Sequence, residues 1–569
     1  MATAQQIANS PANLSPETET KTGADIVVET LEAHGVKHVF GVPGAKIDKV
    51  FDRLIDSSIK TVVCRHEQNA AFIAGGIGRM TGKAGIAIAT SGPGVSNLTT
   101  GLATANTEGD PVVALGGAAA VADRLRSHHQ TLDSVGVCRP VTKYAAEIDS
   151  PTATAEVLSA AFRAAEADRP GAAFVSLPMD IMTGEAQCKP IRLSTFVDQG
   201  PAAKTSLTEA ARLINSAKSP VIFLGLMASK PRSAEAIRDL LRTTALPVVG
   251  TFQAAGAVSQ EEFPRFGGRV GQLANQPADA LLDSGDIVIT IGYVPVEYWP
   301  ALWNKGNKRP IIHIDATPAE IENDYSPAVE LIGNIEETID ALSPLLHRPR
   351  LATESAELLQ LIAQDRKRLM AEAAAKSGVP IHPLRLISEL QKILTPDVTV
   401  CSDMGSFSMY LCRYLFSFRA RQFLITNGQQ TLGVALPWAI AATIVRPHEK
   451  ALSISGDGGF LFSANELETA VRLNSHLVHM IWIDGHYDMV GTQERIKYNR
   501  TSGVDFGPVD YVKYGEAFGA TGLRIQRPDD IAPTLRKAFD TPGPVLVGVH
   551  VDYRDNAKLF EHVHAGGVL

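Results

Sequence analysis

The chain has 569 residues, 45% of them hydrophobic and 20% charged, a balance that excludes collagen-like and disordered classes and leaves room for three α/β domains. Its 53 basic against 61 acidic residues give a net charge of −8, so there is no electrostatic reason to expect nucleic acid or an anionic membrane as partner. Five cysteines, Cys64, Cys138, Cys188, Cys401 and Cys412, contain no Cys-x-x-Cys pair and leave an odd one over, which reads as reduced thiols in a cytoplasmic protein and not as a disulfide framework or zinc site.

Residues 1–21 read as a polar, disordered tail; the first 20 hold no Lys or Arg and no apolar run, unlike a secretory or transit peptide. From Thr22, β-branched runs at 38–40, 61–63, 85–89 and 112–115 alternate with helical patterns. Such alternation predicts βαβ units in a parallel sheet covered on both faces, here a first domain over 22–189. A linker from 190 to 205 carries Gly200-Pro201. The second α/β domain, 205–347, takes strands at 220–225, 286–291 and 310–315, with the glycines of 267–271 read as turns. A charged helix at 353–376 leads to a third domain, 380–555, with strands at 398–400, 451–455, 477–483 and 545–549. The expected fold class is therefore α/β, three doubly wound parallel-sheet domains. The uncharged stretches 84–107 and 422–445 are interrupted by Gly, Pro, Asn, Ser or Thr, so no membrane span is predicted.

The most informative segment is Ser455-Gly456-Asp457-Gly458-Gly459-Phe460, at the end of one predicted strand, with Asp484 ending the next, 484 − 457 = 27 positions on. Carboxyl ends of parallel strands form the ligand crevice of a doubly wound sheet, and the start of the intervening helix offers N–H groups to a phosphate. Two carboxylates there suit a hard divalent cation shared with a diphosphate. Asp-Gly is also an ordinary turn former, so this segment alone leaves a plain strand-to-helix turn open.

Gly-Asp-Gly followed at this spacing by a carboxylate resembles the signature of enzymes dependent on thiamine diphosphate (ThDP). Val63-Cys64-Arg65-His66-Glu67-Gln68-Asn69-Ala70 supplies the glutamate such enzymes need in a separate domain. Phe40-Gly41-Val42-Pro43-Gly44-Ala45, Ser91-Gly92-Pro93-Gly94-Val95-Ser96-Asn97 and Gly109-Asp110-Pro111 are similar to the acetohydroxyacid synthase branch. Within it, Gly44-Ala45-Lys46-Ile47-Asp48 and Asn427-Gly428-Gln429-Gln430 resemble the catabolic acetolactate synthases.

The resemblance implies pyrimidine-binding, central and diphosphate-binding domains, in chain order, and a reaction in which pyruvate loses carbon dioxide and its two-carbon remainder joins a second pyruvate as 2-acetolactate. It implies that Glu67 hydrogen-bonds N1′ of the cofactor and that Leu432, where the branch usually has Met, wedges the cofactor into its bent form. Gln430, Gly458, Gly459 and Met489 become further cofactor contacts, and Asp457, Asp484 and the carbonyl of His486 magnesium ligands, with Asp484 where asparagine is usual. Gln130 and Gln493 are candidates for positioning the second pyruvate. Lys46 either attracts a pyruvate carboxylate or makes a surface ion pair.

Two departures matter. Gly292-Tyr293-Val294-Pro295-Val296-Glu297-Tyr298 stands where flavin-containing relatives carry Phe-Asp-Asp-Arg, so FAD is not expected. Gln493, four residues after Met489, replaces the tryptophan that favours 2-ketobutyrate, so pyruvate is expected as donor and acceptor. The family's active site crosses a subunit interface, which implies a homodimer or homotetramer. Competing readings are another ThDP-dependent 2-keto acid decarboxylase or a pyruvate oxidase, a non-catalytic relative that binds nucleotide or partner subunits, and a dinucleotide dehydrogenase. The last is weakest, because no strand is followed by a clean Gly-x-Gly-x-x-Gly with an acid some 20 positions on.

Overall fold

The computed structural model describes residues 20–192, 199–347 and 351–560. Its strands form three six-stranded sheets, and every neighbouring pair runs parallel. The first holds β1 (His38–Val42), β2 (Lys60–Val63), β3 (Gly85–Ala89), β4 (Val112–Ala118), β5 (Tyr144–Glu147) and β6 (Ala172–Pro178), in the order β2-β1-β3-β4-β6-β5. The second holds β7 (Pro220–Leu224), β8 (Val248–Thr251), β9 (Phe266–Val270), β10 (Ile287–Ile291), β11 (Ile311–Asp315) and β12 (Val329–Ile332), in the order β12-β11-β10-β7-β8-β9. The third holds β13 (Val398–Ser402), β14 (Phe423–Leu424), β15 (Lys450–Gly456), β16 (Leu477–Ile483), β17 (Thr521–Ile525) and β18 (Val545–His550), in the order β14-β13-β15-β16-β18-β17.

The first and third sheets thus repeat one topology, with order reversing between β1 and β3 and between β13 and β15. The middle sheet is the other doubly wound kind and reverses between β7 and β10. Chain reversal leaves a crevice at the carboxyl ends of the strands on either side of it. The strands form where the apolar runs predict them because both faces are covered: every residue of β3, β4, β7, β10, β11 and β13 is buried.

Seven strands lie outside the predicted runs. β5, β12 and β17 are edge strands with mostly half-buried residues, and β14 is only two residues long, so none gives a continuous apolar run. β6 and β8 are fully buried but short in β-branched residues or flanked by proline. β9 corrects the reading of 267–271 as turns: it is a fully buried edge strand, and a Cβ on Gly267 would stand 2.5 Å from Leu281 of the covering helix. The predicted charged helix is Thr353–Ala375.

Residues 1–19 of the predicted tail and 193–198 of the predicted linker lie outside the described residues. Lys21 already pairs with Glu29, and Thr22 caps the Gly23–Ala33 helix. Helix Glu67–Thr81, after β2, packs on helix Ala435–Val445 of the third domain, with Arg79 stacked 4.5 Å over the Trp438 ring. One apolar core, including Phe72, Ile73, Trp438 and Ile440, runs through both domains. No helix among the described residues is long and apolar enough to cross a membrane.

Candidate active site

The first crevice is built at the carboxyl ends of β2 and β3. His66 caps the helix after β2, its Nδ1 accepting from the Gln68 N–H at 3.1 Å, and so the next residue, Glu67, is delivered into the crevice. Its carboxylate is 9% exposed and accepts from Asn97 Nδ2 at 3.0 Å. Asn97 rides on helix Pro93–Glu108, entered from β3 through Ser91-Gly92. The Ser91 hydroxyl donates to Gln130 Oε1 at 3.1 Å, which brings Gln130 onto the same rim. Lys46 is half-buried with Nζ 3.3 Å from Met179 Sδ and makes no ion pair among the described residues, so the surface-pair reading of Lys46 has no partner here.

In the third domain, helix Asp457–Leu461 begins at the residue that follows β15. Asp457 Oδ2 accepts from the N–H groups of Asp484 (3.2 Å) and Gly485 (2.8 Å), and Oδ1 from Gly458 (3.0 Å). One carboxylate therefore ties the ends of two neighbouring strands. Burial raises Asp457, and burial together with the negative charges of Asp457 and Asp488 pushes Asp484 up to about 8. Two acids that repel each other in a partly dry crevice are a donor set that a divalent cation would relieve. Among the described residues no three His, Cys, Asp or Glu side chains converge on a metal site, so a cation here needs carbonyl, water or phosphate oxygens as well. The His486 imidazole pairs with Asp505 at 2.5 Å, so its side chain is engaged away from the two acids. The glycines after Asp457 answer to close approach: a Cβ on Gly458 would stand 2.6 Å from Tyr487 Cε1, and one on Gly459 2.9 Å from Asp403 Oδ2.

Met489 and Gln493 lie on the helix that follows, Asp488–Tyr498; Met489 packs against the third domain's core and Gln493 is half-exposed. Val490, Ile496 and Tyr498 on the same helix, and Leu461 and Phe462 at the end of the helix after β15, are 44–68% exposed. Among the described residues no hydrogen bond or ion pair joins Glu67, Asn97 or Gln130 to Asp457 or Asp484. The structure thus assembles two half-sites.

Two acids missing from the sequence reading hold the loop that carries Gln430 and Leu432. Glu108 ends its helix, where a negative charge opposes the helix dipole. It is fully buried, and Oε1 accepts from the Thr426 hydroxyl (3.0 Å) and the N–H groups of Asn427 (2.9 Å) and Gly428 (2.8 Å). Oε2 accepts from Arg79 and from Gln253 of the middle domain. At the loop's other end, buried Asp403 accepts from Gly433 N–H at 2.9 Å and from Met404 N–H, and burial pushes it up to about 7. Between these clamps Gln430 and Leu432 stay half-buried, and Thr431 bonds Thr104 at 2.7 Å. An acid at a helix C-terminus was the available signal for Glu108; Asp403 had only its place after a predicted strand.

The middle crevice is closed by its own chain. Glu297, 2% exposed, accepts from Leu226 N–H (2.8 Å) and the Thr251 hydroxyl (2.6 Å) on Oε2 and from Val294 N–H (3.1 Å) on Oε1. Burial pushes its carboxyl up to about 7.

Comparison with known proteins puts this geometry in context. Residues 21–137, 207–342 and 403–549 match the models for the N-terminal TPP binding domain, the central domain and the C-terminal TPP binding domain of thiamine pyrophosphate enzymes. The chain belongs to the thiamine pyrophosphate enzymes. It is 50% identical over 548 residues to the catabolic acetolactate synthase of Raoultella terrigena, covering 96% of this chain and 98% of that one. It is 48% identical over 541 residues to the acetolactate synthase of Bacillus subtilis, covering 94% of each. A more distant relative, at 29% over 542 residues, is the large subunit of acetolactate synthase isozyme 2 of Escherichia coli, covering 94% of this chain and 96% of that one. Likeness of this extent places the chain, within that family, among the acetolactate synthases.

Proposed function

We propose that the chain condenses two molecules of pyruvate into 2-acetolactate and carbon dioxide, using ThDP and Mg²⁺ and no flavin. The observation that carries this reading is the presence of both acidic stations, buried Glu67 and the Asp457–Asp484 pair, in a chain half identical to a catabolic acetolactate synthase. A decarboxylase or oxidase reading is not favoured by such relatives. We assign the pyrimidine-binding domain to 22–189, the central domain to 205–347 and the diphosphate-binding domain to 380–555.

Bound ThDP supplies the electron sink that lets a 2-keto acid lose its carboxylate. Glu67, fixed by Asn97, holds a proton against N1′ of the cofactor's pyrimidine. Asp457, Asp484 and the His486 carbonyl hold the cation, with Gly458 and Gly459 keeping the diphosphate end free of side chains. Leu432, Gln430 and Met489 shape the apolar wall, and Leu432 is rigid because Glu108 and Asp403 clamp its loop. Gln130 and Gln493 orient the second pyruvate by its carboxylate. Glu297 fills the acceptor positions of the middle crevice with the chain's own oxygens, which supports the flavin-free reading. The split between the Glu67 crevice and the Asp457–Asp484 pair, with the exposed apolar side chains of the third domain, supports a homodimer or homotetramer whose sites are completed by a second copy. Five free cysteines suit the cytoplasm.

The test is a pyruvate assay on apoprotein reconstituted with Mg²⁺ and ThDP but no FAD. Acetolactate is expected as the main product; acetaldehyde or acetyl phosphate in its place would refute the carboligase reading.

A further inference from the structure

Outside the two half-sites, a cavity of about 220 Å³ lies between edge strand β9, the Thr353–Ala375 helix and the end of helix Ser406–Tyr414. A single water needs only roughly 10–15 Å³ by the same measure. The wall carries four arginines, Arg269, Arg366, Arg368 and Arg413, against one acid, Asp365. That acid is already taken by Arg368 at 3.0 Å. The other three arginines form no ion pair among the described residues.

Their hydrogen-bond partners are all neutral groups, and the charge of buried Asp279 also acts on Arg413 without an ion-pair contact. Arg269 is 4% exposed, donates Nη2 to the carbonyls of Leu411 and Leu415, and leaves Nε without a partner. Arg413 donates Nη2 to Asn275 at 2.7 Å and also leaves Nε bare. Arg366 donates Nη2 to the Phe266 carbonyl at 3.2 Å. Arg269 and Arg366 share one aromatic ring, lying 5.5 and 4.8 Å from the centre of Phe416. Burial pushes Arg269 down to about 10, and burial with the neighbouring charge of Arg269 does the same to Arg366. Carbonyls, ring faces and the charge of Asp279 near Arg413 offset part of the cost of burying these guanidiniums, but three of them against one acid leave an excess of positive charge that calls for an anion.

We propose that this cavity binds a small phosphorylated metabolite, its phosphate seated among Arg269, Arg366 and Arg413 and its body against Tyr414 and Phe416. Three separate guanidiniums match a group with three acceptor oxygens and nearly two negative charges, which a monocarboxylate cannot supply. The site is distinct from the acidic pair. Helix Ser406–Tyr414 separates them: the Ser406 hydroxyl bonds Asp488, next to Asp484, at 2.6 Å, whereas Arg413 and Tyr414 line the cavity at the other end.

The experiment uses holoenzyme saturated with ThDP and Mg²⁺, so that its own diphosphate site is filled, and follows the thermal midpoint. Inorganic phosphate and glycerol 3-phosphate are expected to raise the midpoint by about 2 °C or more at saturation, the ester at lower concentration. Succinate and sodium chloride at matched ionic strength are expected to leave it unmoved. Arg366→Met, on the partly exposed face of a long helix, is expected to fold, to turn over pyruvate as the parent does, and to lose the phosphate response. Arg269→Met is expected to lose it too and to raise the unliganded midpoint, since it removes an uncompensated charge. No response in the parent, an equal response in Arg366→Met, or an equal response to succinate would each overturn the proposal.

Discussion

The middle and third sheets both bring a buried carboxylate to the carboxyl ends of their strands, but they treat it in opposite ways. Glu297 of the middle crevice meets two N–H groups, one hydroxyl and no second acid, so its network is complete. Asp457 also meets main-chain N–H groups, yet Asp484 stands beside it and is pushed up to about 8 by the crowding. A completed hydrogen-bond network makes a crevice into core, whereas a charge cluster left electrostatically unfinished keeps it open to a cation and an anionic ligand. On the proposed function, two sheets of related architecture differ in role through how fully their acids are satisfied.

The largest expected effect comes from the acid of the first crevice. Glu67→Gln should lower kcat for acetolactate by about 10²–10⁴-fold with little change in thermal midpoint; a variant with near-parental turnover would refute its assignment. Next is Asp457→Asn, which turns an acceptor of three N–H groups into a partial donor. Its apparent affinity for ThDP and Mg²⁺ should fall about 10–100-fold in fluorescence titrations, and chelator treatment of the parent should mimic it. Unchanged affinity would show that the pair does not hold the cation.

The clamps come third. Glu108→Gln and Asp403→Asn should each cost about 1–3 kcal/mol in denaturant unfolding, because each leaves buried N–H groups without an acceptor. Both should raise the KM for ThDP through the Leu432 loop. The smallest effect sharpens the contrast from the other side. Glu297 has a folded pKa of about 7, above the unfolded carboxylate value, so it contributes stability that is fully present below about pH 4 and lost as pH rises through 7. Glu297→Gln should flatten that fall, by up to about 1.4 kcal/mol per pH unit, and leave acetolactate formation intact. An unaltered pH slope would mean that Glu297 titrates normally.

The three-domain α/β plan was legible because internal parallel strands are continuous apolar runs, and residues 85–89 and 477–483 matched β3 and β16 to the residue. Edge strands such as β5 and β17 escaped because one side faces solvent or a loop and the apolar run breaks. β9 escaped for a different reason, since glycines forced by a covering helix look like turn glycines. In the proposed site, Asp457 and Asp484 stood out because strand end, acid and glycine occur together in the sequence, whereas Glu67 has no glycine beside it and was named only through the family resemblance. Glu108 and Asp403 were not fully readable. An acid at a helix C-terminus marks Glu108 as unusual, but the N–H groups it accepts from lie more than 300 positions away, so its partners are not legible locally.

The exposure of Leu461, Phe462, Val490, Ile496 and Tyr498 carries a consequence for handling the enzyme. If a second copy covers those side chains and supplies the Glu67 half-site, specific activity becomes a function of protein concentration. Turnover per chain should then fall on dilution, and preincubation with ThDP and Mg²⁺, which on that reading bind across both copies, should slow that loss.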